Sequence, residues 1–238
     1  MTLGHPVRLD AATLIDLAER AAELSAGRWS AALLRAAFPQ AGDDALLALP
    51  VGARDRLVLA IRAAHLAGPL RSEPVCAGCG ATFELTLSPE TFGLAGDAPW
   101  PDPAPRPIRV GGRDVALRPV ALGDLLEVET IAAPDRAAET LAARVCDANA
   151  PSPEALAEAL EALDPAADIW IETRCPECGA AESLAFDPVH FVAQELRQLS
   201  RRILRDVVEI ARVFHWSERD ILALPEERRA YYVAEALA

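Results

Sequence analysis

Apolar residues recur every three or four positions through most of the chain, which is the spacing of amphipathic helices. Near the start, Asp10 precedes a run whose leucines and isoleucine share one face, so a helix is expected to begin there and to end at Gly27. Three further short helices are expected over residues 29–38, 43–49 and 53–66. Together they predict a compact helical bundle over residues 1–70.

Apolar and polar residues alternate strictly in several short segments, as they do in half-buried strands. These segments are 82–87, 108–110, 114–118, 168–173 and 183–186. The second and third flank Gly111-Gly112, so we expect a hairpin with a tight two-residue turn. Just before it, alternate prolines from Pro99 to Pro107 predict an extended linker without hydrogen-bonded structure.

The second half of the chain returns to a helical period. Helices are expected over 122–131, 135–146, 153–163 and 189–214. After the last of these, Ser217 is a natural N-cap with Asp220 as its reciprocal partner, while Trp216 and Ile221 can pack as a hydrophobic staple. Pro225 then precedes a final helix over 226–237.

Two cysteine pairs stand inside the strand-like segments. Cys76 and Cys79 form one C-x-x-C motif and Cys175 and Cys178 form another, and a glycine follows each pair. Glycine permits the positive φ that such a tight knuckle tends to need. Two matched motifs supply four thiolates, the ligand set of a closed structural zinc site, so we expect one Zn²⁺ per chain.

With the zinc site at its centre, the chain is predicted to be an α+β protein that is mainly α. The cysteine pairs define a split zinc ribbon made of residues 71–87 and 168–187. Residues 88–167 form an insertion that contains the proline-rich linker, the hairpin and helices. Residues 188–238 form a C-terminal helical module with a long helix and a helix-turn-helix end.

Composition narrows the classes of function. The net charge is −13 and every basic residue is Arg, so general nucleic-acid binding is not expected. No apolar stretch is long enough to span a bilayer, and the first ten residues lack a signal-peptide pattern. Paired metal-type cysteines favour a reducing cytoplasm. The absence of Lys beside abundant Ala, Arg, Gly and Pro indicates a GC-rich bacterial coding bias. We interpret the fifth cysteine, Cys146, as a buried small hydrophobe and not as a reactive thiol.

The sequence contains no recognised catalytic motif. Nucleophile-elbow, metalloprotease, phosphate-loop and dinucleotide signatures are absent. His215 and Trp216 are interpreted as residues of a helix end, and four cysteines would leave a zinc ion no open position for catalysis. We therefore expect a protein that is not an enzyme.

One stretch resembles a known family. The sequence FHWSERDILALPEERRAYYV, preceded by FDPVHFVAQELRQLSRRILRDVVEIA, is similar to the T4-type baseplate hub assembly chaperones of contractile phage tails and related contractile injection systems. The resemblance is specific over 187–238 and weaker over 46–80. It implies a cytoplasmic, non-enzymatic assembly factor or adaptor that binds hub or baseplate proteins. In this module the candidate partner-binding residues are Trp216, Arg219, Tyr231 and Tyr232.

Two alternatives stay open. One is a zinc-ribbon regulatory module that contacts nucleic acid or the transcription machinery; the other is a redox or zinc-dependent enzyme. Five arginines between residues 197 and 212 are interpreted as a solvated or partner-facing surface, because Glu195, Asp206 and Glu209 interleave with them. The sequence leaves the oligomeric state open.

Overall fold

Helices and strands are both present in the computed structural model of the chain. The structure describes residues 3, 5–88, 100–110, 112–146 and 152–237. Ten α-helices lie in this part of the chain: α1 (Ala11–Arg20), α2 (Ala26–Ala37), α3 (Asp43–Leu47), α4 (Val51–His65), α5 (Leu122–Val128), α6 (Pro134–Val145), α7 (Pro153–Leu163), α8 (Pro188–Phe214), α9 (Glu218–Leu222) and α10 (Glu226–Leu237). Six strands form three antiparallel pairs: β1 (Leu70–Ser72) with β2 (Leu85–Leu87), β3 (Arg106–Val110) with β4 (Arg113–Leu117), and β5 (Ile169–Arg174) with β6 (Ala181–Phe186). The fold is mixed α/β with mostly helical regular structure.

The start of α1 is as predicted, but its end is not. The Asp10 side chain accepts a hydrogen bond from the Thr13 backbone N–H at 2.8 Å. The helix ends at Arg20 and not at Gly27, because Ser25 caps a new helix by accepting from the Arg28 backbone N–H. Gly27 is therefore a buried residue of α2.

The long helix α8 packs against five other helices. It contacts α1, α2, α4, α9 and α10. Its N-terminus is held by Asp187, whose side chain accepts from the Val189 and His190 backbone N–H groups. The largest apolar cluster combines residues of several segments: Leu14, Leu17, Trp29, Leu33, Leu34, Val58, Ile61, Leu70, Leu87, Leu122, Ile169, Val192, Leu196 and Ile203.

The β3–β4 hairpin has the predicted two-residue turn. Val110 pairs with Arg113, and Gly112 has a φ of +83°, while Gly111 lies outside the described residues. The proline-rich linker ends earlier than predicted, because Arg106 and Pro107 belong to β3 and Pro107 pairs with Ala116. Proline is tolerated there since its missing N–H costs nothing on the unpaired side of an edge strand.

Other helix and strand boundaries differ from the predicted ones by a few residues. Of the strand predicted over 82–87, only Leu85–Leu87 is continuous, and Thr82 instead forms an isolated bridge with Val75. Cys146 lies just after α6, is buried, and bridges to Leu117. It packs in a second apolar cluster made by β3, β4, α6 and α7.

The N-terminus of α4 is capped by a residue from far along the chain. Pro50 precedes this helix and offers no side-chain acceptor. Instead the Gly52 backbone N–H donates to Asp164 Oδ2 at 2.8 Å, across 112 positions. A Cβ added to Gly52 would lie 2.2 Å from Asp164 Oδ1 and 2.8 Å from the Ala166 Cβ. The absence of a side chain at position 52 therefore allows this contact.

A buried carboxylate also links α5 to α6. Asp124 is 2% exposed and accepts from Arg118 Nη1 at 2.6 Å and from Arg144 Nε at 2.8 Å. Burial alone would raise the pKa of Asp124, but hydrogen bonds from Arg118, from the Ala121 backbone N–H and from Arg144 lower that pKa to about 2. The ionised form is thus the one that the fold stabilises.

We expect Gly52→Ala to destabilise the protein by about 2 kcal/mol, since it introduces a steric clash and disturbs the cap. The matched control is Gly42→Ala, because nothing lies within 4 Å of a Cβ added at Gly42. Urea unfolding followed by circular dichroism measures both. Equal losses for the two variants would contradict the importance of the Asp164 contact.

We expect Asp124→Asn to cost about 3 kcal/mol at pH 7, because two arginines lose their charged partner. A folded-state pKa below the unfolded value means that the stabilisation is present above about pH 4 and is lost as the pH falls towards 2. The difference in unfolding free energy between wild type and variant should therefore shrink over that interval. Asp114→Asn is the control, since the Asp114–Arg109 pair is exposed. A constant difference from pH 7 to pH 2 would refute the assignment.

Candidate metal centre

The two C-x-x-C motifs fold into knuckles with the same backbone hydrogen bonds. In the first, Gly80 N–H donates to the Cys76 carbonyl and Cys76 N–H donates to the Ala81 carbonyl, both at 2.9 Å. In the second, the Gly179 N–H donates to the Cys175 carbonyl and the Cys175 N–H donates to the Ala180 carbonyl, again both at 2.9 Å. Gly80 and Gly179 have φ values of +76° and +74°, so the predicted need for glycine is confirmed.

All four predicted cysteines meet at one place. Their sulfur atoms lie within 4.8 Å of one another. Cys76 Sγ is 3.7 Å from Cys178 Sγ, and Cys79 Sγ is 3.7 Å from Cys175 Sγ, so each close pair joins the two knuckles. Cys76 and Cys175 are buried, whereas Cys79 and Cys178 are exposed. The cluster could hold a metal ion, with half of its ligands facing solvent.

Several contacts bring the knuckles together. Cys76 and Cys175 form a small apolar cluster with Phe83, and Ala180 packs against it. A Cβ added to Gly78 would lie only 3.4 Å from the Ala180 Cβ. The second knuckle closes the β5–β6 hairpin, whose six residue pairs run from Ile169–Phe186 to Arg174–Ala181. The described part of the chain contains no other group of three or more His, Cys, Asp or Glu side chains placed to share a metal ion.

Backbone N–H groups surround the sulfur of Cys175. The pKa of Cys175 is lowered to about 7, chiefly because the Cys178 backbone N–H donates to its sulfur, with a further contribution from Glu177. Burial acts in the opposite direction. Because the thiolate is the form that binds a metal ion, these donors favour metal binding.

Glu182 is a neighbour of the centre that sequence reasoning missed. The Cys76 thiol donates to Glu182 Oε1 at 2.9 Å, and the Ala77 backbone N–H donates to the same oxygen at 3.1 Å. This hydrogen bond raises the pKa of Cys76 to about 12, against backbone donors from Cys79 and Gly78. Glu182 pairs with Thr173 in the β5–β6 hairpin, and nothing in the sequence indicates its contact with the first knuckle.

The candidate partner-binding residues lie at the C-terminal end. The Trp216 ring centroid is 5.4 Å from that of Phe214 and 4.8 Å from that of Tyr232, and Tyr231 packs edge-on to Tyr232 at 5.6 Å. Trp216 is 36% exposed and Tyr231 is 60% exposed. The rings therefore form one surface cluster, which we call the aromatic patch: Phe214, Trp216, Tyr231 and Tyr232. Arg219 is an exposed residue of α9.

Ser217 caps α9 as predicted, and Asp220 contacts the Ser217 hydroxyl where a reciprocal cap would contact its backbone N–H. Ser217 Oγ accepts from the Asp220 backbone N–H at 3.2 Å and donates to Asp220 Oδ2 at 2.6 Å. Ile221 is fully buried with Val207 and Ile210. The Trp216–Ile221 staple stays a prediction. His215 ends α8 in the left-handed conformation, with a φ of 57°.

Comparisons of the chain with protein-family models, with curated proteins and with solved structures give no match. None of the described helices combines the length and the apolar character that a membrane span requires.

We expect Glu182→Gln to strengthen metal binding about tenfold, as changes beside a ligand commonly alter affinity by that order. A carboxylate can only accept, so it opposes a metal-bound thiolate at Cys76, whereas the amide of Gln can donate to the sulfur. Competition between the protein and a chelator for Co²⁺ measures the effect. Glu177→Gln is the control, because it removes the same charge from an exposed position of the second knuckle. Weaker binding by Glu182→Gln, or equal effects of the two changes, would contradict this account.

Proposed function

We propose that this protein is a non-enzymatic assembly factor or adaptor for the baseplate or hub of a contractile phage tail or contractile injection system, stabilised by a structural zinc ion. The observation that carries the proposal is the aromatic patch, which lies within the segment 187–238 that resembles the hub assembly chaperones. Aromatic side chains that stay exposed on a folded surface are typical of protein interfaces. Trp216, Arg219, Tyr231 and Tyr232 are the proposed partner-binding residues.

Zinc is the metal that best fits the cluster. A tetrahedron with metal–sulfur bonds of about 2.3 Å has sulfur atoms about 3.8 Å apart. Two of the six sulfur–sulfur distances are 3.7 Å and all four sulfur atoms lie within 4.8 Å of one another, so the cluster is close to the size that a zinc ion needs. When bound, the ion would join the two knuckles, and Cys76, Cys79, Cys175 and Cys178 would hold it. Four thiolates leave no position for a substrate, which supports a structural role.

A nucleic-acid-binding ribbon has less support. Acidic residues outnumber arginines among the exposed charged residues beside the knuckles, with Glu73, Glu172 and Glu177 against Arg174, while Glu84 pairs with Arg71 and Glu182 lies beside the cysteines. Acidic groups at these positions would repel phosphates, and the net charge of −13 acts in the same direction.

We expect purified protein to contain one zinc ion per chain and Cys178→Ser to lose it, since a site with three thiolates binds more weakly. The helical cores are separate from the knuckles, so the variant should keep its helical circular dichroism while the ribbon loosens. Elemental analysis with native mass spectrometry checks the stoichiometry. Cys146→Ser is the matched control and should retain the metal. A content near zero or near two would refute the shared site.

We expect the double change Trp216→Ala with Tyr231→Ala to abolish assembly of contractile particles, because it removes the exposed rings of the patch. Both side chains are partly in solvent already, so the fold and the zinc content should be nearly unchanged. Complementation of a strain that lacks the gene, with particles counted by electron microscopy, measures the effect. Trp170→Ala is the control, since Trp170 is 56% exposed on the β5–β6 hairpin. Normal assembly with the double variant would refute the proposed interface.

A further inference from the structure

The solvent face of α8 carries a stripe of basic residues. Arg201, Arg205, Val208 and Arg212 are spaced by three or four residues, which places them along one side of a helix. All four are exposed. Arg202 is exposed beside them. We call these five residues the basic face of α8.

Two of the three acidic residues that interleave with these arginines in the sequence, Glu195 and Asp206, are paired with arginines of other helices. Glu195 accepts from Arg62 Nε at 2.8 Å and from Arg62 Nη2 at 2.9 Å. The Arg62 side chain also donates to the carbonyls of Gly68 and Pro69, so it fixes Glu195 towards the end of α4. Interleaving in the sequence therefore does not produce neutralisation on the surface.

Of the other two acidic residues, Asp206 is also paired with an arginine of another helix, whereas Glu209 is not. Asp206 accepts from Arg229 Nε of α10 at 3.3 Å, and Arg229 is itself buried. Only Glu209 turns towards the basic face, and it pairs with Arg212 at 3.7 Å. Each acidic side chain thus has its own arginine.

Three arginines are left without a carboxylate. Within the described ranges, no salt bridge involves Arg201, Arg202 or Arg205. This occurs in a chain with 36 acidic and 23 basic residues, in which arginines have an excess of available partners. Val208, between Arg205 and Arg212, is 53% exposed. Arg205 Nε donates to the Arg201 carbonyl at 3.2 Å, so the face combines exposed apolar area with positive charge that no described carboxylate neutralises.

We propose that the basic face of α8 binds an acidic, amphipathic helix of a partner protein. Charge complementarity selects the partner: carboxylates spaced by one helical turn would meet Arg201 and Arg205, whose forked guanidinium groups suit bidentate pairing. An apolar residue one turn beyond the carboxylates would cover Val208. The proposal deepens the adaptor role and rests on it, because it names the chemistry of a second contact in addition to the aromatic patch.

A protein partner suits the face better than a nucleic acid. The net charge of −13 would repel a phosphate backbone, and only three arginines without a carboxylate partner would attract it. Val208 would gain nothing from phosphates, whereas an apolar side chain on a partner helix removes it from water. A second copy of this chain is the other occupant that the experiment distinguishes.

The probe is a synthetic helical peptide with glutamates four residues apart and a leucine one turn further on, labelled for fluorescence anisotropy. Full-length, zinc-loaded protein should bind it, and binding should weaken as salt screens the charges. Arg201→Glu with Arg205→Glu should weaken binding about tenfold or more, because like charges then face one another. Arg113→Glu with Arg136→Glu makes the same charge change at exposed residues elsewhere and should have no effect. A peptide of equal composition with scrambled spacing should bind less tightly.

The following results would overturn the proposal. If the peptide bound both charge-reversed proteins equally, or if both peptides bound the protein equally, the attraction would be non-specific and α8 would have no binding site. If a 20-base-pair DNA duplex bound more tightly than the peptide, and this binding required Arg201 and Arg205, the face would be assigned to nucleic acid. Self-association that the Arg201/Arg205 reversal abolishes, measured by light scattering, would assign it to a second copy.

Particle assembly separates this inference from the adaptor role. If the Arg201/Arg205 variant fails to bind the peptide yet assembles particles normally, the basic face has no part in assembly, while the role of the aromatic patch is untouched. If both the aromatic and the arginine variants assemble particles normally but the peptide still binds only the basic face, the adaptor role in contractile tails fails and the binding face remains.

Discussion

The constraint on which the structure depends is that the chain must leave Cys79 and return to Cys175 at the same place. The 95 residues between them therefore form a closed loop whose two ends are the knuckles. A metal ion bound by all four thiolates would restrict the unfolded chain as a cross-link does, and closing a loop of this length is worth about 4 to 5 kcal/mol. The cluster of Phe83 with Cys76 and Cys175 favours the same closure by burying apolar surface.

The long loop is also attached to the rest of the molecule by its own residues. Leu122 is fully buried in the main core, its backbone N–H donates to the Leu49 carbonyl, and Pro50 bridges to Ala121. The hairpin with α6 and α7 has a separate apolar cluster. The segment thus contributes a core of its own while α5 completes the core built around α8, so the knuckles are not the only point at which it is held.

Local chemistry was sufficient to predict the helices, the two-residue hairpin turn, the caps at Asp10 and Ser217, and the meeting of the cysteines, because each depends on a few neighbouring residues or on a strongly specific motif. The long-range polar contacts could not be predicted in this way. Nothing in the spacing of Glu195 or Asp206 shows that their arginines come from α4 and α10, and Glu182 has no sequence mark of its contact with Cys76. Partner choice depends on tertiary geometry, which a single sequence leaves open.

The hydrogen bond from Gly52 to Asp164 also has a consequence for motion. The amide hydrogen of Gly52 can exchange with solvent only when the connection between α7 and β5 separates from the first turn of α4. Separation of this connection and fraying of α4 at that end are therefore coupled. The exchange rate of this one amide reports how often the connection between α7 and β5 separates from the start of α4, independently of whether the knuckles have parted.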